Sequence, residues 1–250
     1  MRQRRADRAL WLVAAWLGGA AGISLEARRK TPIKVACVGA SITEGFLSSW
    51  GHDYPAEMRR MLGTGYEVQN FGIKGKTAMK SGQMKVFFGP FGMTKDAYYG
   101  RTSQFESALA FLPDIVILQF GSNDSKDINW QGHAQDFVPD YSDLARTFQN
   151  LSSKPTVYIM VPPPLYLDHV YDMNLKVINT ELPDKLRRVA ELNGLAPPID
   201  VFGAFLEHCP HPGTAPCDWI IDGCHPSDDG YHKIAEVVMA RIAANATAGA

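Results

Sequence analysis

Two short segments, far apart in the chain, carry the residue types of a nucleophilic active site. Ser41 lies in Gly39-Ala40-Ser41-Ile42-Thr43, directly after the apolar run Ile33–Val38. A serine hydroxyl is a weak nucleophile at neutral pH and needs a neighbouring base, most often a histidine. His225 is the candidate base, and Asp222, three residues earlier, can bind its other ring nitrogen and fix the tautomer. These residues predict acyl transfer through a covalent serine intermediate.

A serine nucleophile also needs hydrogen-bond donors for the negative charge of the tetrahedral intermediate. Asn123 follows one apolar run and offers a side-chain amide, and Gly72 follows another and can present its backbone N–H. Asparagine and glycine are ordinary turn residues, and so are the Asp-Gly and His-Pro steps, so each segment alone also fits a structural role. Their occurrence together favours a catalytic site made of Ser41, Gly72, Asn123, Asp222 and His225.

The elements that must position these residues can be predicted from the hydrophobic pattern. Strands are predicted at Ile33–Val38, Tyr66–Phe71, Ile115–Phe120, Thr156–Val161 and Leu195–Val201. Helices are predicted at Tyr54–Leu62, Thr102–Leu112, Phe137–Leu151 and Leu175–Leu192, with a last helix capped by Ser227. Pro197-Pro198 weakens the fifth strand, and Pro183 predicts a kink or a restart in the fourth helix.

Strands that alternate with helices predict a flavodoxin-like three-layer α/β sandwich with a five-stranded, mostly parallel sheet. Such sheets bind ligands beyond the carboxyl ends of their strands, which is where Ser41, Gly72 and Asn123 fall. Residues 73–100 interrupt the alternation with glycines and aromatic residues. This segment predicts a substrate-side loop, with an ordinary surface excursion packed on its own aromatics as the alternative.

The candidate site segments also resemble the four conserved blocks of the SGNH, or GDSL, hydrolases. The matching segments are Gly39-Ala40-Ser41, Gly72, Gly121-Ser122-Asn123-Asp124 and Asp222-Gly223-Cys224-His225-Pro226. The resemblance runs from about Lys34 to the final helix and implies that the Ser41 N–H joins Gly72 and Asn123 in an oxyanion hole. Ala40 departs from the family's usual Gly-Asp-Ser, but it lies outside the triad.

A narrower resemblance points to the substrate class. Ser125-Lys126, Asn129-Trp130 and Pro162-Pro163-Pro164-Leu165-Tyr166 are similar to the branch related to sialate O-acetylesterases and to carbohydrate deacetylases. It implies an ester hydrolase that needs neither a cofactor nor a metal ion and removes short acyl groups from a hydroxylated, sugar-like substrate. The alternatives are a lipase, thioesterase or acyltransferase on the same triad, and a non-catalytic carbohydrate-binding module.

The composition and the N-terminus bear on partners and location. The net charge of −1 offers no basic patch for nucleic acid. Residues 1–27 combine an arginine-rich start, a short apolar segment and small residues, which is typical of a cleaved secretory signal. A retained signal anchor is the alternative, although the apolar segment is short for a span of about 20 residues. We therefore expect a secreted domain over residues 28–250, with no stable membrane span after cleavage.

Four cysteines would meet an oxidising compartment on this route. Cys37 lies within the first predicted strand and is expected to be a buried free thiol. Cys209, Cys217 and Cys224 lie in a loop rich in proline and glycine, where one disulfide is expected without a preferred pair. A zinc site that also uses His208 and His211 is the alternative, but its spacing fits no common ligand pattern.

Overall fold

The computed structural model describes residues 31–88 and 91–248. Its strands are β1 (Ile33–Gly39), β2 (Tyr66–Gly72), β3 (Gln83–Phe88), β4 (Phe91–Asp96), β5 (Ile115–Gln119), β6 (Thr156–Val161) and β7 (Ile199–Asp200). Five of them form one sheet in the order β2-β1-β5-β6-β7, and β3 pairs with β4. All four pairings within this sheet are parallel, which confirms the predicted architecture. The predicted signal sequence, residues 1–27, lies outside the described residues.

Helices cover both faces of the sheet. The α-helices are α1 (Ser41–Glu44), α2 (Tyr54–Leu62), α3 (Ser103–Ala110), α4 (Asp127–Trp130), α5 (Phe137–Gln149), α6 (Leu182–Leu192), α7 (Val201–His208) and α8 (Asp228–Ala248). Side chains along β1 alternate between two buried clusters, as the pleat of a strand requires. Ala36 and Val38 pack with α5 and α6, whereas Val35 and Cys37 pack with α2 and α8. The protein is therefore a three-layer sandwich.

Two prolines account for the irregularities of the second half of the chain. Pro198 has no backbone N–H, and β7 begins only after it, so this strand is shorter than the predicted run Leu195–Val201. Pro183 stands in the first turn of α6, and a π-helical turn over Val177–Glu181 precedes it. A kink or a restart of the helix was predicted at Pro183, and the structure shows a π-helical turn that ends directly before α6.

Residues 73–100 contain an antiparallel hairpin of β3 and β4 where the sequence predicted a loop. The predicted substrate-side loop therefore contains two strands, which the sequence did not reveal because they lack the alternation of a half-buried strand. Asn129 fixes the hairpin to the domain: its side chain accepts the Gln83 N–H (2.7 Å) and donates to the Gln83 carbonyl (3.1 Å).

The cysteines divide into one disulfide and two buried thiols. Cys209 and Cys217 are bonded to each other, so neither is free to serve in the alternative zinc site. Cys37 and Cys224 are free and buried, as expected for Cys37, and burial raises the pKa of the Cys37 thiol to about 12. Over the described residues, no helix has the length and apolar character needed to cross a membrane.

Candidate active site

Ser41 stands at the junction between β1 and the short helix α1. Gly39 ends the strand where a side chain could not fit, because an added Cβ would lie 2.7 Å from the Gln119 carbonyl oxygen. Gly45 ends α1 in the left-handed conformation at φ 90°, which glycine adopts without strain. This tight strand–turn–helix holds the Ser41 hydroxyl at the carboxyl edge of the sheet, where the sequence predicted it.

His225 and Asp222 complete a hydrogen-bonded row with this serine, although 184 residues of chain separate Ser41 from His225. His225 Nε2 lies 3.0 Å from Ser41 Oγ, and His225 Nδ1 lies 2.8 Å from Asp222 Oδ2. Asp222 Oδ1 also accepts the backbone N–H groups of Cys224 (2.9 Å) and His225 (2.7 Å). The three side chains are within the reach that proton transfer from serine to histidine requires.

The electrostatics of this row keep the carboxylate ionised. Burial of Asp222 opposes its charge, but the hydrogen bonds from the His225 N–H and imidazole and from Cys224 outweigh it and lower the pKa of the carboxyl. His225 itself is 3% exposed. An ionised aspartate beside a buried imidazole favours the tautomer with a proton on Nδ1, which leaves Nε2 free to accept a proton.

Two aromatic rings hold the imidazole from either side. Phe46 and Tyr171 both contact His225 edge to face, with ring centroids at 4.8 and 5.2 Å. The Tyr171 hydroxyl also donates to Asp222 Oδ2 at 2.8 Å, and this bond raises the pKa of Tyr171 to about 12. Sequence reasoning missed Tyr171, because nothing in its local pattern links it to a site around Ser41.

The backbone around Tyr171 is strained. His169, Tyr171 and Asp172 all have positive φ, at 58°, 52° and 62°. Non-glycine residues rarely adopt this conformation, which costs on the order of 1–3 kcal/mol each and is maintained only by surrounding contacts. An ion pair of 3.1 Å between Lys85 on β3 and Asp172 is one such contact.

The prediction that Gly72 presents its N–H at the site is wrong in this structure. The Gly72 N–H donates to the Asn70 side chain at 2.9 Å, and the Gly72 Cα lies against the backbone of Thr43 and Glu44. An added Cβ at Gly72 would lie 2.6 Å from the Thr43 carbonyl carbon and collide with the Glu44 nitrogen. Glycine is therefore needed here for the close approach of β2 to α1.

Gly75, three residues later, lines the cavity that contains Ser41, Asn123 and His225. It has a φ of 78°, so it is in the left-handed region, and its N–H has no acceptor among the described residues. Sequence reasoning missed this glycine. The signal was present, since Gly75 is the second glycine of Gly72-Ile73-Lys74-Gly75, but the exact register of the turn decides which N–H faces the serine.

Asn123 lies at the cavity as predicted and is 3% exposed. One hydrogen of its amide goes to the Lys76 carbonyl (3.1 Å), which leaves the second for a ligand. Its neighbour Asp124 is fully buried and accepts the Met79 and Gly121 N–H groups at 2.8 and 3.1 Å. Burial raises the pKa of Asp124 to about 6 against the effect of these donors.

The cavity above the serine has a volume of about 180 Å³. Phe46, Met84, Tyr171 and Met173 form its apolar wall. A cavity of this volume accommodates a short acyl group with part of an alcohol. Met84 comes from the hairpin, so the segment that was predicted to lie on the substrate side contributes directly to the cavity.

Comparison with known proteins finds a family match and a curated relative, each over most of this chain. The sequence profile of the GDSL-like lipase/acylhydrolase family matches residues 37–233. An acetylxylan esterase from Xylanibacter ruminicola is 32% identical over 240 residues, covering 88% of this chain and 45% of the relative. The chain thus spans less than half the length of that curated relative.

Solved structures share the fold. A carbohydrate acetylesterase from Sinorhizobium meliloti superposes with a TM-score of 0.61 at 19% identity, covering 85% of this chain and 99% of the other. The acetyl xylan esterase AlAXEase superposes with a TM-score of 0.61 at 21% identity, covering 84% and 100%. At these identities the likeness supports the three-layer fold.

Proposed function

This chain belongs to the GDSL-like lipase/acylhydrolase family, and from that premise we propose that it is a serine esterase that removes short acyl groups, mainly acetyl, from a carbohydrate. The observation that carries the proposal is the row Ser41–His225–Asp222, with contacts of 3.0 and 2.8 Å. A buried histidine between a serine hydroxyl and an ionised carboxylate is the arrangement that activates serine in acyl transfer.

In the proposed reaction, Ser41 Oγ attacks the ester carbonyl carbon while His225 Nε2 takes its proton. The carbonyl oxygen becomes an oxyanion, and the Ser41 N–H, the Gly75 N–H and the Asn123 amide donate to it. The intermediate collapses to an acyl-enzyme, and the departing alcohol takes the proton from His225. Water then attacks the acyl group with His225 as base, which releases the carboxylic acid and restores Ser41. Asp222 stabilises the imidazolium in both halves.

Two observations support a short acyl group on a sugar. The cavity of about 180 Å³ has little room for a long acyl chain. The 32% identical relative is named an acetylxylan esterase. A lipase, thioesterase or acyltransferase on the same triad is the competing assignment, and a series of p-nitrophenyl esters from acetate to decanoate separates them. A maximum at long chains would contradict the acetylesterase proposal.

The decisive experiment compares Ser41→Ala with wild type on p-nitrophenyl acetate. We expect the variant to lose at least about 10³-fold in kcat, because triad members act as a unit. Ser103→Ala, on the exposed start of α3, is the matched control and should keep wild-type turnover. A fluorophosphonate probe should label wild type and not Ser41→Ala. Undiminished turnover in Ser41→Ala would refute the assignment, and an unlabelled, inactive wild type would favour a non-catalytic binding module.

We also propose that residues 1–27 direct export and that residues 28–250 form the secreted domain. The Cys209–Cys217 disulfide supports this location, since such bonds persist in oxidising compartments. N-terminal sequencing of exported protein should give a start near residue 28, and an uncleaved chain retained in the cell would contradict the proposal.

A further inference from the structure

The charge of the catalytic cavity is one-sided. Ten residues line it, and two of them are lysines, Lys74 and Lys126, while none is an aspartate or glutamate. Asp222 is not part of the lining, and its carboxylate accepts hydrogen bonds from His225 and Tyr171. Two lysines without an acidic residue in the lining give the cavity a positive charge, which favours a negatively charged ligand.

Lys126 is the more informative of the two lysines. It follows Asn123 by three residues, just before α4, and its side chain is half-buried at the cavity wall. Within the described residues its ammonium makes no ion pair within 4.0 Å; Asp172 attracts it from a greater distance and forms its close ion pair, at 3.1 Å, with Lys85. Burial lowers the pKa of Lys126, because the attraction of Asp172 offsets only part of the cost of desolvating the ammonium. An anion in the cavity would remove that cost.

Lys74 adds a second cation at the rim. It is exposed, precedes Gly75 in sequence, and its ammonium lies 5.3 Å from the centre of the Phe46 ring. Glu44 is the nearby acid, and one of its carboxylate oxygens accepts the Lys74 backbone N–H at 3.1 Å. The lysine head group is thus packed on the same aromatic ring that contacts His225, within the lining of the cavity.

We propose that this cavity selects esters whose alcohol carries a negative charge, in the form of an acetylated sugar acid with a carboxylate, and that Lys126 binds that carboxylate with Lys74 in support. This inference rests on the proposed esterase function and narrows its substrate class. Lysine ammonium groups bind carboxylates through charge-assisted hydrogen bonds, which are stronger than neutral ones, and a water-poor cavity strengthens them further.

The test uses two substrates that differ in charge alone: an O-acetylated methyl glucuronoside and the same compound with its carboxylate converted to a carboxamide. For wild type we expect kcat/KM to be about tenfold higher for the acid at low salt, the size of one charge-assisted hydrogen bond. The preference should decrease as ionic strength rises. In Lys126→Met the ratio of the two kcat/KM values should fall to about one.

Lys154→Met is the matched control, since it removes one exposed positive charge before β6, at the opposite edge of the sheet, and should keep the wild-type ratio. Binding to the Ser41→Ala variant, measured by calorimetry, provides a readout that needs no turnover: the acid should bind more tightly than the amide, and Lys126→Met should abolish the difference.

Two results would overturn the inference. The first is a wild-type ratio of kcat/KM for acid over carboxamide near one. The second is the same ratio in Lys126→Met as in wild type, which is expected if this lysine stabilises the oxyanion of every ester equally. Ser41-dependent hydrolysis of p-nitrophenyl acetate distinguishes a failure of the anion preference from a failure of the esterase function. If that hydrolysis is present without a charge preference, the anion inference alone fails; if it is absent, the esterase function fails.

Discussion

Substituting Gly72, the last residue of β2, and Gly75, in the turn that follows, by alanine separates their roles. Gly75→Ala places a Cβ on a residue with a φ of 78°, at a cost of about 1–2 kcal/mol for a left-handed non-glycine residue. The new methyl group also collides with Met84 Sδ, but this is the end of a flexible side chain that can move. We expect a modest loss of stability, equivalent to about 2–4 °C in Tm per kcal/mol for a domain of this size.

The expected effect of Gly75→Ala on catalysis is larger than its effect on folding. Complete removal of one oxyanion donor costs about 10²–10³-fold in kcat. Alanine keeps the N–H but shifts its peptide, so we expect a decrease of about tenfold or more. In Gly72→Ala the Cβ meets backbone atoms of Thr43 and Glu44, which cannot move without displacing α1. For Gly72→Ala we expect stability to change more than kcat. The free energy of unfolding should decrease by an amount at the upper end of the ~1–3 kcal/mol typical of overpacking.

The assay measures kcat on p-nitrophenyl acetate per active site, counted by fluorophosphonate labelling, together with urea unfolding of each variant. The double variant Gly75→Ala/Met84→Ala removes the steric contact and should remain slow if the position of the N–H is what matters. Two results would refute the reasoning: Gly75→Ala with kcat within about twofold of wild type, or Gly72→Ala with a hundredfold lower kcat and unchanged stability. The second result would indicate that the Gly72 N–H, and not the Gly75 N–H, donates to the oxyanion.

Two further predictions concern single carboxylates. Tyr171→Phe removes a hydrogen bond that holds Asp222 Oδ2 in place, so kcat/KM should fall about three- to tenfold, the size of an ordinary hydrogen bond, because Tyr171 is half-exposed. Turnover of p-nitrophenyl acetate by the two proteins measures this effect, and an unchanged kcat/KM would show that the Tyr171 hydroxyl has no catalytic effect. Asp124 has a folded pKa of about 6, above the unfolded value of about 3.9, so its contribution to stability is complete below pH 4 and is lost as the pH rises through 6, by roughly 3 kcal/mol. Asp124→Asn should flatten that part of the urea-unfolding profile, and an identical pH dependence in both proteins would contradict the assignment.

The sequence predicted the sheet and most of the helices because buried faces of strands and helices require apolar residues at regular spacings. Along β1, side chains enter the two clusters alternately, and the run Ile33–Val38 is apolar throughout because both faces are covered. No comparable pattern in the sequence identifies the disulfide pair. Cys209, Cys217 and Cys224 are close in sequence, and the choice of Cys217 as the partner depends on how residues 209–217 fold back.

The site could be predicted to the level of residue types but not of individual backbone groups. Ser41, His225 and Asp222 are recognisable since their chemistry requires those side chains. An oxyanion donor is an N–H, which every residue except proline has, so the choice between Gly72 and Gly75 depends on a turn geometry that composition does not encode. Tyr171 was missed for a similar reason, because its contact with Asp222 is made by a strained loop whose position depends on Lys85 in the hairpin.

The meeting of Ser41 with His225 depends on contacts other than the one between them. The Tyr231 hydroxyl in α8 donates to the Phe46 carbonyl at 2.8 Å, and Asp228, at the start of α8, accepts the Ser49 N–H at 2.8 Å. These bonds join the loop that follows the serine to the helix that follows the histidine. Since a single 3.0 Å hydrogen bond contributes only about 1 kcal/mol, it could not hold two loops 184 residues apart in register by itself. The packing of α8 on α2 and its ties to the Phe46 loop therefore preorganise the triad, and the Ser41–His225 bond is free to break and form during the reaction.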